Sequence, residues 1–192
     1  NRMSTPAIIE HIERNLERIP KEGAGKTIEI DGTKIHLLKF ADQPIPSVTT
    51  ICTCGLSKHA FGSSTGKVRQ EILLGYFSTY ESDQWYALVS AMCEDLLAKH
   101  KALEMGQVYD VPGSLFPNKE ISGLYCSFPA FYGDDIWVCN GTNPDTYFIW
   151  LFPVTKNEVN YIKEFGAESF EEDVIMVQQP SLFDFARESM KV

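Results

Sequence analysis

The chain has 192 residues, 44% of them hydrophobic and 22% charged, with a formal net charge of −9 and a pI of about 4.9. That composition excludes wholesale disorder, and the length suffices for one domain whose core needs no disulfide or metal to hold it. The acidic balance argues against a general nucleic-acid binder, which needs a basic stripe for phosphates; it leaves two readings, solubility or steering towards a basic partner.

Residues 5–19 carry an amphipathic helical pattern. Thr5 suits the cap and Pro6 the first turn; Ile8, Ile9, Ile12, Leu16 and Ile19 recur on one face, with Glu10, Glu13, Arg14 and Glu17 opposite. Pro20, Gly23 and Gly25 end it. Residues 27–30 and 34–40 read as short strands about Asp31-Gly32, a dipeptide that tolerates the positive φ of a tight hairpin. Residues 41–47, with Pro44 and Pro46, form a loop. A buried strand over 48–54 breaks at Gly55, a mobile Gly/Ser-rich loop covers 57–66, and a second strand runs over 68–76. Ser82 and Asp83 open the strongest helical pattern, residues 83–100, with Trp85, Leu88, Val89, Met92, Leu96 and Leu97 on one face.

Residues 108–111, 124–128 and 136–139 are β-like. Residues 147–152 are apolar on both parities, the mark of a central strand covered on both faces, and Pro153 closes the run. Thr155 and Glu158 make a capping box that opens a helix through Val159, Ile162 and Phe165, stopped at Gly166. A short helix over 169–173 and a last strand over 174–178 precede a helical tail, residues 181–192, whose Leu182, Phe183, Phe185 and Ala186 are free to dock. The expected fold is α+β, a mixed β-sheet flanked by helices, in a single domain over residues 3–192; Met3 is a candidate natural start, with Asn1-Arg2 a vector remnant.

Five cysteines, Cys52, Cys54, Cys93, Cys126 and Cys139, are an odd count and do not resemble a secreted disulfide framework. No apolar leader precedes a small-residue cleavage site and no apolar run reaches the length of a membrane span, so the expected location is the cytoplasm, with no membrane partner. Cys52 and Cys54 share a face of their strand, near His59, but zinc sites favour C-x2-C turns with a second pair; the thiols read as small buried hydrophobes, and no metal or cofactor is expected. Ser57 lacks a nucleophile elbow, and His11, His36, His59 and His100 are scattered, so Ser57 reads as a local hydrogen-bonding residue. The run Gly62 to Lys67 fails the phosphate-loop spacing and reads as a flexible linker inside the hairpin.

Two further groups stand out. Arg69 and Glu71 share a strand face, placed to pair with each other or across the sheet. Tyr132, Asp134, Asp135 and Trp137 mix acids with aromatics. Without further acidic ligands at motif spacing they read first as a solvated turn and second as a partner contact, in which rings supply area and acids supply complementarity to Lys and Arg; burial of Trp137, between Ile136 and Val138, is equally open. These four are the candidate partner-binding residues.

Thr50, Thr53, Gly55, Leu56 and Ser57, followed by Arg69, Glu71 and Leu73, resemble the T-x-G-L-S…R-x-E-L signature of Suppressor-of-fused-like domains. The helix containing Trp85 and residues 149–166 extend the likeness. There, Phe152-Pro153-Val154 and Glu158 resemble a hydrophobic-Pro-Ile/Val…E pattern before a final helix. The chain is similar to the bacterial members of that family and, more distantly, to a wider group of immunity-type α+β domains. The resemblance implies a non-enzymatic protein-binding domain with no catalytic residues to carry over. It points to an immunity protein or antitoxin that neutralises a cognate bacterial toxin, often a nuclease, by direct binding. The alternative is a regulatory adaptor that captures a peptide segment of a partner as an added strand or in a groove. Neither reading involves nucleic acid directly, and an enzyme ranks last because no catalytic constellation survives.

Overall fold

The computed structural model describes residues 6–20 and 25–192, so Thr5 and Gly23 lie outside the described residues. Asp31 and Gly32 take φ values of 48° and 82°, and they join β1 (Gly25–Ile30) to β2 (Thr33–Ala41) as the dipeptide predicts. The fully buried β3 (Val48–Cys54) follows, then a hairpin of β4 (Phe61–Ser63) and β5 (Gly66–Phe77). The remaining strands are β6 (Val108–Asp110), β7 (Ile121–Ser127), β8 (Val138–Cys139) and β9 (Thr146–Thr155). The sheet runs β1-β2-β3-β5-β9-β7-β6, with β4 beside β5 and β8 beside β9. Every pairing is antiparallel except β5 with β9, whose register runs from Arg69↔Thr146 to Leu73↔Trp150.

Helices cover both faces, as a sheet apolar on both parities requires. On one face, α2 (Gln84–Lys99) buries Trp85, Leu88, Val89, Met92 and Leu96 over Ile35, Leu37, Ile51, Ile72, Leu74, Ile149 and Leu151. On the other, Ile8 and Ile12 of α1 (Pro6–Asn15) and Val159 of α3 (Lys156–Phe165) join Leu38, Phe40, Cys52, Leu73, Phe148, Trp150 and Phe152. Alternate residues of β9 thus enter different cores. Ser82 Oγ accepts the Gln84 N–H at 3.2 Å at the start of α2. The capping box of Thr155 and Glu158 is formed, and Gly166 N–H returns to Ile162 O at 2.8 Å.

Five elements differ from the sequence reading. Helix α1 ends at Asn15 rather than at residue 19, and Leu16 and Ile19 pack against the second core from the non-helical segment that follows. The 57–66 segment is a turn at Leu56–Lys58 and the strand β4, held by Gly62 N–H on His100 O (3.0 Å) and Ala102 N–H on Gly62 O (2.8 Å). Pro153 lies inside β9. Its carbonyl meets Arg187, so its nitrogen faces the same edge, beyond the last β5 register pair, where no ladder donor is lost. Residues 174–178 are helical, continuing through Ala167–Ser169, a wide π-type turn at Phe170–Ile175, and Met176–Gln178; Phe170 and Val174, four apart, both turn into the second core. The tail beyond Gln178 is not helical. It still docks, but with near strand-like alternation: Phe183 enters the second core and Phe185 the first, while Ala186 stays exposed. Main-chain bonds from Phe77 N–H to Phe183 O (2.9 Å) and Asn118 N–H to Phe185 O (3.4 Å) hold it extended.

Candidate protein-binding face

The signature residues build an internal knot. At Gly55 the backbone takes φ 131°, and the chain turns so that three successive amides, Gly55 (3.2 Å), Leu56 (3.1 Å) and Ser57 (3.1 Å), point at the Glu71 carboxylate. The hydroxyls of Thr53 (2.8 Å) and Ser57 donate to it as well, and Thr53 Oγ1 in turn accepts the Ile72 N–H. Glu71 is fully buried; burial pushes its carboxyl above the usual range, while the hydroxyl and amide donors pull it back. Among the described residues, Arg69 pairs neither with Glu71 nor with another acid across the sheet. Its Nη1 donates to Ser57 O (2.8 Å) and its Nε to Asn143 O (3.2 Å). The Ser57 hydroxyl is committed to Glu71, and His59 Nε2 shares a hydrogen bond with Thr33 Oγ1 at 2.8 Å. Cys52 and Cys54 both lie in the second core, and among the described residues no three His, Cys, Asp or Glu side chains are grouped to hold a metal.

The exposed chemistry lies on residues 128–137, between β7 and β8. Here Tyr132 is a correction: it is 5% exposed, its hydroxyl donates to Thr50 Oγ1 at 2.8 Å, and its ring packs edge-on to Trp150 and Phe183. The open rings are its neighbours, Phe128 at 52% and Phe131 at 57% exposure. Phe131 stands perpendicular over Trp150 at 5.5 Å, and Phe128 stands edge-on to Trp137 at 6.1 Å. Trp137 is half-buried against Tyr147 at 5.1 Å. Gly133, at φ 89°, reverses the chain after Tyr132, and Asp134 and Asp135 emerge into solvent. Ile136 is buried, and its carbonyl accepts the His11 Nε2–H at 2.8 Å, tying this loop to α1. Burial is the main reason the His11 imidazole lies below its ordinary value. Thr50 Oγ1 also donates to Gln43 O at 2.6 Å, which sets the loop bearing exposed Ile45 beside Tyr132.

The face therefore combines Phe128, Phe131 and part of Trp137 with Asp134 and Asp135. Sequence reasoning singled out the acids and Trp137 but not the two phenylalanines. Phe128 closes the β-like run over 124–128 and Phe131 follows Pro129-Ala130, so nothing in their spacing marks either ring as exposed.

The SUFU (Suppressor of fused protein) family model matches residues 27–188, most of the chain. This chain belongs to the Suppressor of fused protein family. The match continues past Gly166 and takes in Arg187, beyond the motifs legible in the sequence. The immunity protein YqcF of Bacillus subtilis (strain 168) is 22% identical over 162 residues, 82% of either chain. The fold matches a SUFU homologue of Neisseria gonorrhoeae FA 1090 with a TM-score of 0.74 at 13% identity, covering 95% of this chain and 94% of that one. A Sufu–Fu complex structure matches with a TM-score of 0.63 at 12% identity over 95% of this chain and 90% of that one. Drosophila Suppressor of Fused matches with a TM-score of 0.64 at 12% identity; nearly all of this chain, 97%, spans 50% of that one. Among the described residues, no helix of this SUFU-family chain is long and apolar enough to cross a membrane.

Proposed function

We propose that this SUFU-family chain is a non-enzymatic protein-binding domain of the cytoplasm, an immunity protein that neutralises a cognate toxin by covering a basic surface. The observation that carries the reading is the 128–137 face, where exposed Phe128 and Phe131 stand beside exposed Asp134 and Asp135. Exposed rings supply the apolar area of a binding patch, and acids beside them complement Lys and Arg. The net charge of −9 gives the whole molecule the sign that accelerates encounter with a basic partner, such as a nuclease that holds phosphates. The relationship to a protein named as an immunity protein supports the same reading.

The test is capture of the partner from the native cell, identification by mass spectrometry, and surface plasmon resonance at two ionic strengths. Association slows as salt rises, and Asp134→Asn with Asp135→Asn lowers the on-rate several-fold. Phe131→Ser speeds dissociation without loss of fold, because the ring is exposed; Tyr132→Phe leaves binding unchanged, because its hydroxyl faces Thr50. An on-rate indifferent to salt and to the double substitution, with Phe131→Ser also silent, removes this face from the interface.

A further inference from the structure

The far end of β3 carries charge of the opposite sign. Thr50 sits beside the aromatic face, and Cys54, four residues on, leads into the Gly55 turn. Next to that turn an open cleft of about 310 Å³ is lined by Ser57, Lys58, Arg69, Gly141, Thr142 and Asn143. Among the described residues, its lining has two cations and no acid.

The arginine is oriented by its surroundings. Its bonds to Ser57 O and Asn143 O tie it to opposite walls of the cleft and set the plane of the guanidinium. Among the described residues, Nη2 has no protein acceptor, and neither Arg69 nor Lys58 forms an ion pair. The nearest acid along the strand, Glu71, is saturated by five donors on the inner side of the same turn. Among the described residues, Lys58 Nζ reaches only the Lys34 carbonyl, at 3.1 Å. The positive field extends outward: after burial, Lys58 and Lys34 are what hold the His36 imidazole below its ordinary value. In a chain of net charge −9, this is a local concentration of positive charge; Asp145, whose main-chain carbonyl accepts the Arg69 main-chain N–H at 3.2 Å, lies beside it but forms no ion pair with either cation among the described residues.

We propose that this cleft binds a small oxyanion, a carboxylate or a phosphate, between the Arg69 guanidinium and the Lys58 ammonium. The planar fork of an arginine suits both groups, and a flexible lysine adds a point charge. An arginine serving only to staple two carbonyls would gain nothing from lining an open cleft beside a second unpaired cation.

The experiment is a 1H–15N NMR titration of the full chain with inorganic phosphate and, separately, with succinate, each at low and raised sodium chloride. The expected result is saturable shifts confined to the amides of Ser57, Lys58, Arg69 and residues 141–143, weakened by salt. Saturation by phosphate alone or by succinate alone identifies which oxyanion the cleft takes. Because Arg69 also braces Ser57, the primary variant is Lys58→Gln, at an exposed side chain, expected to weaken binding about two- to fivefold. Arg69→Lys keeps the charge, loses the fork and weakens it further. Shifts that never saturate, that scatter over the surface, or that ignore Lys58→Gln overturn the proposal and leave Arg69 as a loop brace.

Discussion

The Arg187 guanidinium grips the Glu158 carboxylate through two parallel hydrogen bonds, Nη1 to Oε2 at 2.7 Å and Nη2 to Oε1 at 2.8 Å, with both side chains buried. The same carboxylate accepts the Thr155 N–H at 3.0 Å and the Met190 N–H at 2.7 Å, while Arg187 Nη2 also reaches Pro153 O at 2.9 Å. One ion pair therefore closes the end of β9, the start of α3 and the C-terminal tail. A buried pair offsets its desolvation only when its remaining donors and acceptors are used, as they are here.

Arg187→Ala strands a buried carboxylate and should cost about 3–5 kcal/mol of unfolding free energy. Urea denaturation measures it. A midpoint equal to wild type would mean that the ion pair of Arg187 with Glu158 contributes nothing to stability.

Glu158 and Glu71 should leave opposite marks on the pH dependence of stability. Burial pushes both carboxyls up. At Glu158 the Arg187 guanidinium outweighs it and the carboxyl lies below the usual value; at Glu71 burial prevails and the carboxyl lies above it. The folded chain thus holds fewer protons than the unfolded one at Glu158. That contribution is present above the unfolded glutamate value of roughly 4.3 and is lost as pH falls through the lower folded value. At Glu71 the folded chain holds more protons, so its contribution is full below the unfolded value and is lost as pH rises through the folded one. Denaturation across the acid range should show the advantage of wild type over Glu158→Gln growing with pH, and its advantage over Glu71→Gln shrinking. Difference curves of the same slope would contradict the assignment.

Gly55→Ala should lower the melting temperature more than Gly32→Ala. Both glycines hold positive φ, 131° and 82°, but a Cβ at Gly55 would come 2.5 Å from Lys34 O, whereas nothing lies within 4 Å of one at Gly32. Backbone strain of about 1–3 kcal/mol is common to both, and the clash is added only at Gly55. Equal melting temperatures would show that the turn at Gly55 yields.

Trp85→Ala should destabilise the domain by about 3–5 kcal/mol in urea denaturation. The indole is buried against Phe116 (5.3 Å) and Phe185 (4.8 Å), with Nε1–H on Tyr80 O at 2.8 Å. Phe185 belongs to the tail, so faster amide exchange at Asn118, which bonds Phe185 O, should accompany the loss. An unchanged midpoint would mean the aromatic cluster repacks without the indole.

The sequence by itself determined the features set within a few residues or by a simple period. These are the turn at Asp31-Gly32, the capping box from Thr155 to Glu158, the apolar face of α2, and the two-sided burial of β9. Each depends on local backbone geometry or on alternation along one element. The signature residues from Thr53 to Glu71 were legible as a motif, but their role as five donors closed on one buried carboxylate was not, because it needs β3 and β5 side by side. The candidate face divides the same way. Asp134 and Asp135 were expected at the surface and lie there, whereas Tyr132 and Phe131 are adjacent aromatic rings with nothing local to tell them apart. Thr50, 82 residues from Tyr132, draws that ring inward through its hydroxyl, and Phe131 is left outside. Likewise the helix over residues 174–178 and the extended tail depend on which core each side chain enters, Phe170 and Val174 the second, Phe183 the second and Phe185 the first. Periodicity shows which residues of a segment share a face. Only the packed structure shows what covers that face, because the partner arrives from a distant part of the chain.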